Sequence, residues 1–248
     1  MTAKESSDPA TDASDAYGDP EASAASGVPV PSLRVLQTAG VIQSQKFPNP
    51  HGGFRRVWSE QEIMKASIAA AMSEHFAWNI RIVSEAMAKT RGGTWDALVT
   101  ISVAGLEASD AGGKTLVKAS DHDWHLELVD RKFLFLKVPE LATAILPDTT
   151  FGRTDLLLGL VKRDNFTLIP WAFGSPHGRA AMKTALGPEG YQTMEKFYRV
   201  AMAAHRHFLS KATINASMHV RMASHRLHGD KAYFVQELIQ LRKGKTDP

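Results

Sequence analysis

The order of short elements between residues 28 and 88 restricts the fold of this chain more than any other feature. Residues 33–39 form a short helical run that Gly40 ends, and residues 54–58 read as a strand after a polar loop of prolines and glycines. Two further helical runs follow this strand. The sequence therefore predicts a small module in which short helices pack around a hairpin with a loose tip.

Signals for the start of helices support this order. Ser32 is suited to cap the first run, and residues 59–62 form a capping box. Apolar side chains then recur at helical spacing to about Ser73, and another helix is predicted over residues 78–88. Helix, hairpin, helix, helix is the order of a small winged-helix module.

Four segments of this module carry short motifs in a fixed order: residues 27–34 read GVPVPSLR, residues 39–42 read AGVI, residues 54–60 read FRRVWSE and residues 75–80 read HFAWNI. They resemble the G-V-S-x-x-T-L-R, x-G-L-L, G-Y-R-x-Y-S-E and G-F-S-L-x-E-I motifs in the DNA-binding domain of the MerR family of bacterial regulators. The resemblance implies a winged helix-turn-helix DNA-binding domain over residues 17–90.

The resemblance also implies which residues contact DNA. It places the helix of residues 32–38 in the major groove, with Ser32 and Arg34 nearest the DNA, and makes the hairpin a wing. An arginine on such a helix can reach base edges, whereas wing arginines follow phosphates or a narrow minor groove. The predicted DNA-binding residues are Ser32, Arg34, Gln37, Lys46, Asn49, His51, Arg55 and Arg56.

Several features of the module have a structural alternative. The arginines of the helix and the wing can contact DNA, as the resemblance implies, or they can be ordinary solvated surface charges with no role in binding. The family's first helix would fall on residues 17–26, where alanines supply little apolar bulk, so its integrity stays open. The family's long dimerising helix is not evident, because residues 92–93 are glycines and no heptads follow them. Four large apolar side chains are predicted to be core rather than contacts, because a small domain must bury them: Leu33, Leu36, Ile42 and Trp58.

Residues 94–248 predict an α+β effector or dimerisation domain of no family that we recognise. Residues 125–129 and 133–138 flank a short polar turn, which indicates a hairpin, and residues 156–161 and 166–169 indicate a second one. Two hairpins predict one antiparallel sheet.

Helices are predicted beside this sheet. Residues 95–106 fit either a helix or a strand, whereas residues 188–209 carry one apolar stripe at helical spacing. Residues 218–227 and 233–241 predict two more helices. The predicted fold class is α+β, with an N-terminal winged helix-turn-helix followed by an antiparallel sheet with C-terminal helices.

Charge is distributed unevenly along the chain. Residues 1–31 hold six acidic side chains and a single lysine, whereas the formal net charge of the chain is +3, so the remainder carries +8. A basic body favours an anionic partner, because binding to nucleic acid releases condensed cations. Residues 1–16 have no apolar side chain larger than alanine after Met1 and are predicted to be a disordered acidic tail.

Composition excludes several other classes. The chain has no cysteine, which excludes disulfides, thiolate zinc sites and cysteine catalysis. It also lacks an apolar stretch that could span a bilayer, a secretory signal pattern, a phosphate loop and a nucleophile elbow, so we expect a cytoplasmic protein with no membrane contact and no enzymatic activity. We expect no cofactor and no metal, although five histidines are of a residue type that can ligate a divalent ion: His122, His125, His177, His205 and His207.

Together these features predict a sequence-specific transcriptional regulator that binds double-stranded DNA, with a C-terminal domain that senses a small-molecule effector, oligomerises, or does both. A homodimer is expected, because one module makes few base contacts and two half-sites raise specificity. Two alternatives stay open. The chain is alternatively a DNA-binding phage, plasmid or partition accessory factor, or an enzyme with an appended DNA-binding module.

Removal of residues 1–16 is expected to leave the melting temperature and the DNA affinity nearly unchanged, because an acidic tail without large apolar side chains packs on nothing. Melting curves of the full and truncated chains check this. A much lower melting temperature for the truncated chain would show that part of this segment belongs to the folded domain.

Overall fold

A computed structural model of the chain describes residues 16–49, 52–90, 93–104, 106–110, 113–117, 123–138, 155–162, 165–168 and 176–229. Within these residues the chain forms seven helices and nine strands. The strands form two antiparallel two-stranded sheets and one antiparallel five-stranded sheet. The predicted α+β class is confirmed, whereas nearly all of the predicted acidic tail lies outside the described residues.

The N-terminal part contains helix α1 (Asp19–Ser26), helix α2 (Val30–Thr38), strand β1 (Ser44–Pro48), strand β2 (Phe54–Trp58), helix α3 (Glu60–His75) and helix α4 (Ile80–Lys89). The predicted succession of helix, hairpin and two helices is present. Helix α4 starts two positions later than predicted, because the side chain of Asn79 accepts a hydrogen bond from the amide of Ile82 (3.0 Å) and caps the helix there.

Helix α1 is intact, which answers the question that its small side chains left open. Ala22 and Ala25 are buried, and α1 packs against both α3 and a C-terminal helix described below. Small side chains allow this close approach. Pro20 lies in the first turn, where the helix needs no amide donor, and Gly27 ends the helix in the left-handed conformation at φ 76°.

Helix α2 starts earlier than predicted, and the expectation that Ser32 caps it is wrong. The N-cap residue is Pro29, and the amide of Ser32 donates to its carbonyl oxygen (2.8 Å) within the first turn. Prolines fix φ near the helical value, so the chain enters the helix without a side-chain cap. The predicted end is confirmed, because Gly40 has φ 75° and the amide of Val41 donates to the carbonyl oxygen of Leu36 (3.0 Å) in a Schellman motif.

The capping box at the start of α3 is confirmed in one half only. Ser59 Oγ accepts a hydrogen bond from the amide of Glu62. The carboxylate of Glu62 does not return to Ser59; one oxygen accepts from the amide of Gln43 (2.8 Å) and the other pairs with Lys65 Nζ (2.7 Å). Tertiary partners have therefore replaced the local one, and Glu62 ties α3 to the segment between α2 and β1.

The C-terminal part contains helix α5 (Thr94–Ala104), strands β3 (Leu106–Asp110), β4 (Gly113–Val117), β5 (His125–Val129), β6 (Phe133–Lys137), β7 (Asp155–Lys162) and β8 (Asn165–Leu168), helix α6 (Pro176–Arg206), strand β9 (Lys211–Asn215) and helix α7 (Ala216–His228). The large sheet has the strand order β8-β7-β6-β5-β9. Both predicted hairpins, β5–β6 and β7–β8, are confirmed within it.

The segment that fitted both a helix and a strand is the helix α5. Its buried residues include Trp95, Leu98, Val99 and Ser102, which recur at helical spacing. The alternation of apolar residues that favoured a strand is therefore incidental. Two elements that the sequence analysis did not predict are the β3–β4 hairpin and the edge strand β9, in which Ile214 is the only fully buried side chain.

Helix α6 differs from its prediction at both ends. It starts before residue 188 and is broken at Gly187, which has φ 69°, directly before Pro188. The predicted apolar stripe extends too far, because Phe208 and Leu209 lie beyond the helix and are exposed. The predicted helix at residues 233–241 lies outside the described residues. None of the described helices combines the length and the apolar character that crossing a bilayer requires.

One hydrophobic core runs from α1 to α7. The sheet contributes its inner face to this core and packs its outer face against α6 in a smaller cluster. Buried hydroxyls continue the link, since Ser102 Oγ donates to Ser217 Oγ (2.7 Å), which accepts from the amide of Trp124 (2.9 Å). The division into domains near residues 90–94 stays a prediction, but the two parts pack on each other through α3 and α7.

We expect Gly159→Ala to destabilise the sheet. A Cβ at Gly159 would lie 2.3 Å from Phe166 Cζ and 2.5 Å from the carbonyl oxygen of Thr167, which cannot move without separating β7 from β8. The free energy of unfolding should fall by about 1–3 kcal/mol. The matched control Thr167→Ala, at an exposed position of β8, should change it by less than about 0.5 kcal/mol. Urea unfolding measures both, and equal stabilities would contradict the packing argument.

Candidate nucleic-acid interface

An open groove of about 590 Å³ lies between the start of α1, helix α2 and the β1–β2 hairpin. Cations from three elements line it, namely Arg34 on α2, Lys46 on β1, and Arg55 and Arg56 on β2. The acidic side chain in its lining is Asp19, at the start of α1. We call this surface the basic groove. The tertiary structure brings four of the predicted DNA-binding residues to it.

Two of these cations face each other across the hairpin. Lys46 lies opposite Arg56 in the strand register, and opposite residues share one face of a sheet. Like charges in this arrangement repel each other. Among the described residues, neither of these side chains nor that of Arg55 has an ion-pair partner. The hairpin therefore carries positive charge that an anionic ligand would neutralise.

Asp19 fixes one wall of the basic groove. Its Oδ1 accepts a hydrogen bond from Nε1 of the buried Trp58 (2.8 Å), and Tyr17 exchanges two backbone hydrogen bonds with Trp58 (3.0 and 2.8 Å). Asp19 Oδ2 lies 3.9 Å from the guanidinium of Arg34, whose side chain stays 60% exposed. This contact is long, so Arg34 is held near the groove while its guanidinium remains accessible to a ligand.

The other predicted site residues do not line the basic groove. Ser32 is half-buried on α2. Gln37 Nε2 donates to Ser44 Oγ (2.7 Å), so this amide connects α2 to β1. Asn49 is exposed, and its backbone closes the turn of the hairpin. His51 lies outside the described residues. The site that the structure gathers is therefore smaller than the predicted one.

Two groove residues were missed in the sequence analysis. Asp19 carries no sequence signal for a site, because its hydrogen-bond partner Trp58 is far away in the sequence. Phe54 is 72% exposed at the start of β2, beside the cations. Its position directly after two glycines is the signal that could have found it, because a large apolar residue at a hairpin tip has little core to contact. An exposed ring there can make apolar contact with a base or sugar.

The prediction about the core of this module is confirmed. The four large side chains assigned to it are buried, with at most 1% of each exposed: Leu33, Leu36, Ile42 and Trp58. They contribute to the single core that continues into the sheet. The helix α2 consequently presents only its polar and short apolar side chains outward.

An ionic cluster outside the groove surrounds Glu127 on β5. Burial acts to raise the pKa of Glu127, but hydrogen bonds from Lys211 and His205 outweigh it and lower that pKa below its ordinary value. The distances to Glu127 are 2.7 Å from Lys211 Nζ and 3.0 Å from His205 Nε2. These hydrogen bonds and the positive charge of Lys211 favour the charged form of Glu127, so the cluster holds this buried carboxylate in its ionised form.

Two further pKa shifts mark contacts between elements. A hydrogen bond from Lys89 lowers the pKa of Glu85 and exceeds the opposing effect of burial. Lys89 Nζ also donates to the carbonyl oxygen of Phe166 (2.8 Å), which ties α4 to β8. Burial lowers the pKa of His219 on α7, and the neighbouring His75 on α3 adds to the effect. These groups connect the N-terminal helices to the rest of the fold.

The histidines do not form a metal site in the described part of the chain, where no three potential ligands gather. His205 contacts Glu127, and its ring stacks at 4.3 Å on that of Phe135. His122 and the side chain of His177 lie outside the described residues. His125 is half-buried on β5, and His207 is exposed after the end of α6.

No family model, no curated protein and no solved structure matches this chain. The resemblance to the MerR family therefore remains a prediction based on four short motifs.

The Asp19 contact yields a prediction about the groove wall. Asp19→Ala leaves Trp58 Nε1 buried without an acceptor and should lower the free energy of unfolding by about 1–3 kcal/mol. Asp19→Asn keeps an acceptor oxygen. It loses the favourable charge in the first turn of α1, which is worth about 0.3–1 kcal/mol, and the long contact with the exposed guanidinium of Arg34, which adds little. Thermal melting compares the two variants. If Asp19→Asn were as unstable as Asp19→Ala, the hydrogen bond to Trp58 would not be the important contact.

Proposed function

We propose that this chain is a transcriptional regulator that binds specific double-stranded DNA, with α2 in the major groove and the β1–β2 hairpin as a wing. The observation that carries the proposal is the basic groove, where Arg34 of α2 and three cations of the hairpin border one surface. Duplex DNA offers phosphates to such cations and base edges to a helix between them. The proposal assigns the chain no catalytic step and no cofactor.

The connection between α1 and α2 supports a helix-turn-helix. Only residues 27–29 separate the helices, and Gly27 provides the left-handed turn. Ser26 Oγ fixes this turn by donating to the carbonyl oxygen of Ala22 (2.7 Å) and accepting from the amide of Val28 (3.2 Å). A short connection with a glycine is typical of two helices that cross at a steep angle, as in DNA-binding helix pairs.

The exposed face of α2 suits a major groove. Leu33 and Leu36 point into the core, while Arg34, Val35 and Thr38 are exposed. An arginine can donate two hydrogen bonds to guanine, and the methyl groups of threonine or valine can contact that of thymine. This face therefore carries one side chain that can make specific hydrogen bonds to a base, Arg34, and two that can make weaker apolar contacts, Val35 and Thr38.

The cations of the β1–β2 hairpin are suited to contact the phosphates of the DNA backbone beside the major groove. Lys46 and Arg56 repel each other across the strands, and phosphates would relieve this repulsion. Binding would also release counterions from the DNA, so affinity should fall steeply as salt rises. The wing is accordingly proposed to supply affinity, and Arg34 to supply specificity.

We further propose that the regulator acts as a homodimer. One module reads few base pairs, and two half-sites multiply its specificity. Helix α6 leaves large apolar side chains exposed, which a second copy could bury: Leu186, Phe197 and Val200. This activity places the protein in the compartment that contains the DNA.

The first test concerns Arg34. A binding site is selected from a pool of random duplexes with the full chain. If Arg34 makes a bidentate contact to a base, Arg34→Ala should lose about 1–3 kcal/mol of binding free energy on the selected site and much less on random DNA. Base preference at the contacted position should relax. Fluorescence anisotropy with matched duplexes measures both effects.

The second test concerns Arg56. If Arg56→Ala removes one phosphate contact, it should lower the affinity for selected and for random DNA by similar factors. The plot of log affinity against log salt concentration should become shallower by about one unit. Lys137→Ala is the control, because it removes one exposed positive charge at the end of β6, outside both the basic groove and α6. All variants must first melt like the parent. The assignment is wrong if both groove variants bind the selected site like the parent, and helix and wing are exchanged if Arg56→Ala alone relaxes specificity.

A further inference from the structure

A second cavity, of about 770 Å³, lies between the turn from α3 to α4 and one end of the large sheet. Residues 75–79 border it from the helical side, and the β5–β6 turn, β7 and the start of β9 border it from the sheet. Its volume lies within the range of about 300–1,000 Å³ that is usual for small-molecule sites. We call it the junction cavity, because both parts of the chain contribute to its walls.

Aromatic and aliphatic side chains form much of the wall. Phe76 and Trp78 lie with ring centroids 5.2 Å apart at an interplanar angle of 57°. Ile82 lies beside them, and Leu128 and Val161 face them from the sheet. Such a wall favours a ligand with an apolar, flat or branched body.

The polar part of the wall has one sign of charge. Arg131 and Lys211 line the junction cavity, and no Asp or Glu does so among the described residues. Lys211 Nζ is paired with Glu127 (2.7 Å), so its charge is already compensated. Arg131 has no ion-pair partner among the described residues. One guanidinium is therefore available to a ligand carboxylate, which it can bind through two hydrogen bonds.

Backbone strain concentrates at the same place. Three described residues other than glycine have positive φ, and all lie in or next to the wall: Ala77 (φ 54°), Asp130 (φ 52°) and Arg131 (φ 53°). This conformation costs about 1–2 kcal/mol per residue with a Cβ. Asp130 holds its turn by accepting from the amides of Leu209 and Ser210 (2.8 and 2.9 Å). Asp130 and Arg131 are also the two central residues of the β5–β6 turn, which the hydrogen bond from the amide of Lys132 to the carbonyl oxygen of Val129 closes (3.0 Å), and such hairpin turns require positive φ at both positions. Ala77 is therefore the strained position that the hairpin does not explain.

We propose that the junction cavity binds a small organic acid with an aromatic body, whose carboxylate pairs with Arg131 and whose ring packs between Trp78 and the wall of the sheet. The apolar wall selects the body of the ligand, and the guanidinium of Arg131 selects its charge. This proposal does not depend on DNA binding, so it can hold even where the proposed function fails.

The test uses three named probes: phenylacetate, indole-3-acetate and naphthalene-1-acetate, each compared with its neutral amide. Isothermal titration with the full chain should show one site for at least one acid. The matching amide should bind at least about tenfold more weakly, because it loses the charge-assisted pair with Arg131. Bound acid should also raise the melting temperature.

Two variants locate the site. Arg131→Ala should lower the affinity for the acid by at least about tenfold. Lys132→Ala is its matched control, since it removes the neighbouring cation of the same turn without touching the cavity wall, and it should bind like the parent. Ala212→Leu should exclude the ligand by filling space while Arg131 is kept. If Ala212→Leu does not fold, Arg131→Ala and its control still decide the question.

Three results would overturn the proposal. One is that none of the acids binds. Another is that acids and amides bind equally, which would leave Arg131 without a role. The third is that Arg131→Ala binds the acid like the parent while melting at the same temperature, which would place the ligand elsewhere on the chain.

Discussion

The contact between α3 and α7 is the interaction on which the rest of this structure depends. Ala66 and Ala69 of α3 and Ala223 of α7 are completely buried, and Ser67 Oγ lies 3.2 Å from the carbonyl oxygen of His219. Small side chains let two helices pack at a short distance, where dispersion forces are strongest. Because α1, α4 and α5 also pack against α3, this contact fixes the N-terminal helices relative to the sheet.

Trp58 has a similar role on a smaller scale. Its ring fills the core of the N-terminal part, its indole donates to Asp19, and its backbone pairs with Tyr17. One residue at the end of β2 thus holds both the start of α1 and the hairpin. The cations of the basic groove come from elements that are joined at this point, so the shape of the groove depends on a buried side chain that is not part of its lining.

Helix α4 connects the two surfaces discussed above. It packs against α2, which carries Arg34, and its first residues border the junction cavity. Asn79 both caps α4 and lines the cavity. A ligand in the cavity would therefore touch the helix that supports the proposed recognition helix. A single helix thus contacts both the proposed recognition helix and the proposed ligand site.

The sequence by itself determined the local elements. The end of α2 at Gly40, the cap of α3 at Ser59, both hairpins of the large sheet and the burial of Trp58 follow from periodicity, turn chemistry and side-chain size, which act over a few residues. It also identified the cations of the groove as candidates. Its errors lie where a distant partner decides the outcome.

Only the tertiary structure decided the rest. The carboxylate of Glu62 accepts a hydrogen bond from Gln43 and not from its local capping partner, and the amide of Gln37 donates to Ser44. Strand β9 forms because it pairs with the edge of β5. Among the described residues Arg131 has no ion-pair partner; this depends on which side chains surround it in space, and the sequence does not contain that information. Short-range preferences fix where an element forms, whereas packing between elements that are remote in sequence fixes which side chains meet and which remain available.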